Sequence, residues 1–205
     1  MKVSRYHACV FRASLIFLLC VLAFGAVFSL LPSGSAVARS GVTLQGVRFS
    51  LYPEQDRNAV WRFQARQVTI DPLKDQNTLG GLGRGERWVT LPGRPETLDL
   101  TLRADELVID NSDNLTAKQA QMYVLDGCYT LNFRSSAEKQ VVIDQRSGYS
   151  APSVSIASPS LNGEIDDFTS PFDLSNVQGT QRPGFTVQTN PGTVCQNGRI
   201  VPRPL

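Results

Sequence analysis

The sequence predicts an all-β protein, an antiparallel array of strands set behind an N-terminal transmembrane helix. Three observations predict it. Apolar and polar residues alternate over short stretches, and that alternation slips and resumes in a recurring cadence. Polar turns close successive stretches. A separate, uninterrupted apolar run stands near the N-terminus.

That run, ASLIFLLCVLAFGAVFSLL at 13–31, contains no charge. It is close to the roughly 20 residues a helix needs to cross a bilayer. Lys2, Arg5 and Arg12 precede it, which predicts an N-in orientation and export of everything beyond Pro32. Ala36-Val37-Ala38 offers a signal-peptidase site before Arg39, whereas the run exceeds the roughly 7–15 residues of a signal core. Both an uncleaved anchor and a cleaved signal remain open. The chain therefore divides into an anchor or signal segment (1–40), a β domain (41–163) and an irregular Pro- and Gly-rich tail (164–205).

Composition restricts the chemistry. At 205 residues there is room for one domain with a core. The formal net charge is +2 and no run of Lys or Arg forms a stripe, so no nucleic-acid partner is expected. The single histidine, His7, precedes the apolar run with Cys9, on the other side of the membrane from the domain. A Ser or Cys nucleophile in the exported part would have no histidine base. Neither an enzyme activity nor a cofactor or metal is expected.

The strands follow in order. GVTLQGVRFSLY (41–52) alternates with a slip at Gly46, and WRFQARQVTID (61–71) alternates Trp61, Phe63 and Ala65 before resuming at Val68 and Ile70. LTLRADELVID (100–110) repeats that cadence, with Ala104, Leu107, Ile109 and Asp110 matching Ala65, Val68, Ile70 and Asp71. A helix over 104–127 would need one apolar stripe at i, i+3, i+4 and i+7, and none continues through Asn111-Ser112-Asp113-Asn114. The segment reads instead as two strands with bulges at the slips. AQMYVLDG (120–127), YTLNF (129–133), AEKQVVIDQRSG (137–148) and PSVSI (152–156) continue the array.

DQNTLGGLGRGERWVTLPGRPE (75–96) reads as a flexible surface loop. Its glycines lack the Lys-Ser or Lys-Thr and the opening helix of a phosphate loop. Asp71, Asp110, Asp126 and Asp144 end strands, where Asp serves turn hydrogen bonding. Asp166-Asp167 lacks the alternating oxygen ligands of a calcium loop. Cys128 and Cys195 would meet in an oxidising compartment. A disulfide tying the tail to the domain is the economical reading, and two free thiols are the alternative.

The inward faces gather Trp61, Phe63, Leu100, Leu102, Met122, Val124, Leu131 and Phe133. Left open as a trough, such an interior would hold acyl chains through burial, at ~25 cal/mol per Å² of apolar surface. Packed shut, it is simply a core. Pattern alone leaves both readings standing.

VWRFQARQVTID after a membrane segment resembles the LptC-type periplasmic proteins of lipopolysaccharide export. ADELVIDNSDNLTAKQAQMYVLDG resembles the repeat of the OstA-like (LptA/LptC) family: Ala-Asp, an aliphatic strand, a polar turn, Leu-Thr-Ala, and a second strand closing in Gly. The resemblance covers about 41–163 and rests on Trp61, Phe63 and Ala65, then Ala104, Leu107, Ile109, Leu115, Ala117, Met122, Val124 and Gly127. It implies a folded-over antiparallel β-jelly roll on a single-pass inner-membrane anchor, with the domain in the periplasm. It also implies passage of an amphipathic glycolipid from an inner-membrane ABC transporter toward the outer envelope. The implied partners include other OstA-like β domains, joined by edge-to-edge strand addition. The Gly-rich stretch at 75–96, the cysteine pair and the tail depart from the family pattern. The competing expectation is a structural envelope protein with a closed β core that binds other envelope proteins.

Overall fold

The computed structural model describes residues 42–203. The apolar run expected to form an anchor helix or signal, the expected cleavage position after Ala38, His7 and Cys9 lie outside the described residues. No helix among those described is long and apolar enough to cross a membrane.

The described chain is all-β, and every strand pairing is antiparallel. Four long strands open it as a meander: β1 (Val42–Leu51), β2 (Ala59–Asp71), β3 (Gln76–Val89) and β4 (Thr97–Ile109). The return past the polar turn is split into β5 (Leu115–Ala117) and β6 (Gln119–Val124), both paired to β4. A short 3-10 turn, Asp126–Cys128, leads into β7 (Tyr129–Arg134), and β8 (Val141–Asp144) follows. Both pair with β9 (Gly148–Ala157). β10 (Leu161–Ser170) extends the sheet and carries β11 (Gln178–Gln181) and β12 (Thr186–Val187) on its far side. β13 (Thr193–Gln196) and β14 (Arg199–Pro202) form a separate hairpin.

The slips seen in the sequence fall on one level of the sheet. Gln45 pairs with Gln67, Gln67 with Gly80, and Gly80 with Glu106. At that level the inward positions stand three residues apart instead of two. In β2 they are Ala65 and Val68, in β3 Leu82 and Leu79, and in β4 Ala104 and Leu107. The register is unbroken across that level in all three pairings, so the slips are not the bulges the pattern predicts. The register shifts fall beside it, at Gln64/Ala65 between β2 and β3 and at Leu82/Gly85 and Arg87/Trp88 between β3 and β4. The sheet folds over its own apolar face. Trp61 of β2 thereby reaches Gln145 between β8 and β9, 84 residues away in sequence. Arg87 of β3 lies over the ring of Phe172, just past β10, at 4.0 Å.

Two sequence expectations need correction. The stretch 75–96 is not a loop, because β3 occupies most of it as a central strand between β2 and β4. Glycine is demanded there by close packing: a Cβ on Gly85 would stand 3.2 Å from Leu102 Cβ and 3.3 Å from Phe63 Cδ1. Nor does the domain end at 163. β10 runs through that position, and its Ile165 and Phe168 are fully buried in the core. Of the tail, β11, β12 and the β13–β14 hairpin are strands.

Strand-ending aspartates make turns. Asp110 Oδ1 accepts the amides of Ser112 (2.8 Å) and Asn114 (2.9 Å), and Asn114 Oδ1 accepts the amide of Gln145 (3.1 Å). Asp144 Oδ1 accepts the amides of Ser147 and Arg146 in the same way. Its slight burial acts to raise the carboxyl. The Ser147 and Arg146 hydrogen bonds and the Arg146 charge outweigh this, and hold it below its ordinary range. Asp110→Ala removes two such bonds and should lower stability by about 1–2 kcal/mol, read from urea unfolding, while Asp110→Asn keeps most of it.

Candidate functional site

The fold brings together all eight residues expected to line the interior. Trp61, Phe63, Leu100, Leu102, Met122, Val124, Leu131 and Phe133 belong to one core, and none is more than 2% exposed. Cross-strand register sets them side by side: Leu102 faces Gly85 on one flank and Met122 on the other, and Met122 faces Leu131. Trp61 and Phe63 stack nearly parallel with centroids 5.7 Å apart, and Phe133 meets Phe168 and Tyr149 at 5.8 Å each. The interior is therefore packed shut, and of the two readings left open by pattern it is the closed core that these side chains form. Folding of the sheet onto itself fills with side chains the space that a ligand chain would occupy.

Polar groups also enter this interior, at positions that local pattern did not mark. Gln145 is 2% exposed and accepts the indole Nε1 hydrogen of Trp61 at 3.0 Å. Arg87 takes an inward position on β3 and donates to Asp56 and Asp99. Burial pushes the Asp99 carboxyl above the ordinary carboxylate range, against the charge and hydrogen bond of Arg87. The buried Tyr149 hydroxyl has no hydrogen-bond partner, and burial, then the charge of Asp99, push its pKa up.

The apolar face reaches solvent along β1. Phe49 packs on Phe63 with centroids 5.2 Å apart, and the same face continues through Val47 to Leu44 and Val42. Leu44 and Val42 are 44% and 57% exposed, and Ile70, paired with Val42, is 37% exposed. Among the described residues the outer edge of β1 has no partner strand. An exposed, partly apolar edge of this kind is a ready template for another strand.

Cys128 and Cys195 are disulfide-bonded, with their Cα atoms 5.5 Å apart. The bond fastens the β13–β14 hairpin to the 3-10 turn after β6, and the Tyr123 hydroxyl adds a hydrogen bond to the Gly198 carbonyl at 2.9 Å. A two-stranded hairpin is marginal alone, so this clasp accounts for its order. Among the described residues no three His, Cys, Asp or Glu side chains converge as a metal-binding group. No protein-family model matches the chain, and no curated protein sequence matches it.

Proposed function

We propose that this protein is a membrane-anchored periplasmic component of the LptC type. In this reading it passes lipopolysaccharide or a related envelope glycolipid from an inner-membrane ABC transporter toward the outer envelope. Its domain is then a folded-over β-jelly roll of the OstA-like kind. The observation that carries the reading is the apolar inner face that runs from buried Phe63 through Phe49 to the exposed Leu44 and Val42 at an unpaired edge. Acyl chains would enter there and displace side-chain contacts between the halves of the sheet. Strand addition to the free β1 edge would join like domains end to end.

A second reading is favoured by the closed core. All eight interior residues are fully packed, which suits a structural envelope protein that uses its edge to hold other proteins. Native mass spectrometry of the full chain, extracted from its own envelope in mild detergent, separates the two. The transport reading expects a bound glycolipid that is lost in Leu44→Asp. That variant keeps the fold, because the side chain is already exposed. A lipid-free mass for the unaltered protein would reject transport and leave the structural role.

A further inference from the structure

The outer face of β1, β2 and β3 carries a feature that passage of lipid through the interior does not use. Arg48, Arg66 and Arg84 stand far apart in the sequence, yet the strand ladders bring them to one depression of about 580 Å³. Arg48 is opposite Gln64, and Gln64 is opposite Arg84. Gln64 stands between Arg48 and Arg84, and Gly46, Gly81 and Gly83 leave the rest of the floor low. Gly46 and Gly81 hold φ of +63° and +61° at the level where the inward spacing widens, a left-handed geometry that favours glycine. The missing side chain has a second consequence: the Arg66 guanidinium lies directly across Gly81, where any Cβ would overlap it.

The charge in this depression is unbalanced. Among the described residues Arg48 and Arg66 have no carboxylate within ion-pair distance, and only Arg84 is paired, with Glu86. Glu86 does not line the depression, and neither do Asp105 and Glu106 of the neighbouring β4. Guanidinium groups are rigid forks of donors matched to phosphate oxygens. Three of them around a glycine-rich floor, with the Gln64 amide among them, suit a group with three or more oxygens and close to two negative charges better than a two-oxygen carboxylate.

We propose that this depression is a binding site for a phosphate group, held jointly by Arg48, Arg66 and Arg84. Its chemistry is shared by a phosphorylated lipid headgroup and by free phosphate or pyrophosphate. The site is independent of the interior, and it would stand if the transport reading failed.

The test is calorimetric titration of the full chain, in uncharged detergent at low ionic strength, with three probes. These are inorganic pyrophosphate, dihexanoyl phosphatidic acid and, as the control without net charge, dihexanoyl phosphatidylcholine. Pyrophosphate or phosphatidic acid should bind saturably, and phosphatidylcholine should not. Tighter binding of phosphatidic acid assigns the site to a lipid headgroup, and equal or tighter binding of pyrophosphate assigns it to free phosphate. Arg48→Gln and Arg66→Gln should each weaken binding about tenfold, the loss of one charge-assisted hydrogen bond. Both side chains are exposed, so the urea midpoint should not move. Failure of both anionic probes to saturate, or affinity indifferent to both substitutions, would overturn the proposal.

Discussion

Leu102→Arg should abolish the cooperative unfolding transition of the β domain. Leu102 is 0% exposed and sits mid-strand, flanked by Gly85 on β3 and Met122 on β6. A guanidinium placed there has no carboxylate among its core neighbours, which are aliphatic and aromatic. An uncompensated buried charge costs several kcal/mol, and the added volume costs about 1–3 kcal/mol more. Together these rival the ~5–15 kcal/mol that holds a typical domain together. Leu102→Ala should stay folded and lose about 2–5 kcal/mol to the cavity. Circular dichroism with urea titration of both variants makes the comparison. A Leu102→Arg protein that kept its strand signal and a cooperative transition would mean that water reaches the interior, and the core could not be called closed.

The strand order was partly legible because β1, β2 and β4 carry side chains at nearly every inward and outward position. Their alternation, including the slips at Gly46, around Gln67 and at Glu106, is written in residues that differ strongly in polarity. β3 was illegible for the opposite reason. Gly80, Gly81, Gly83 and Gly85 remove the side chains on which periodicity depends, while Phe63 and Leu102 fill the space beside Gly85 from neighbouring strands. β10 hid behind Asp166 and Asp167, which separate its inward apolar residues Ile165 and Phe168; Asp167 has φ of +48°. Local pattern identified the eight interior residues but not their packing. Closure depends on contacts such as Trp61 with Gln145, which no short window contains. The convergence of Arg48, Arg66 and Arg84 is equally a product of register, so a sequence without a basic run still folds into a basic depression.

Arg87→Met should cost about 3–5 kcal/mol at neutral pH, and the loss should shrink as the pH falls. Arg87 is 7% exposed and donates to both Asp56 and Asp99. Methionine preserves contact with the Phe172 ring but leaves two carboxylates facing each other without a counter-charge. Asp99 already titrates above its ordinary range, chiefly through burial, with Arg87 opposing the rise and Asp56 and Asp126 adding to it. Removing Arg87 therefore drives it further up. A carboxyl whose folded pKa exceeds its unfolded value binds its proton more readily in the folded state. Its penalty is fully present above the folded pKa and is relieved as the pH falls through that value toward the unfolded one, near 4. Urea midpoints of the native protein and Arg87→Met at pH 7 and pH 5 should thus lie closer together at the lower pH. Adding Asp99→Asn to Arg87→Met should recover part of the loss at pH 7 and flatten the pH dependence. An equal deficit at both pH values would show that Asp99 is not the group Arg87 compensates, and the inward arginine of β3 would then act through packing on Phe172 alone.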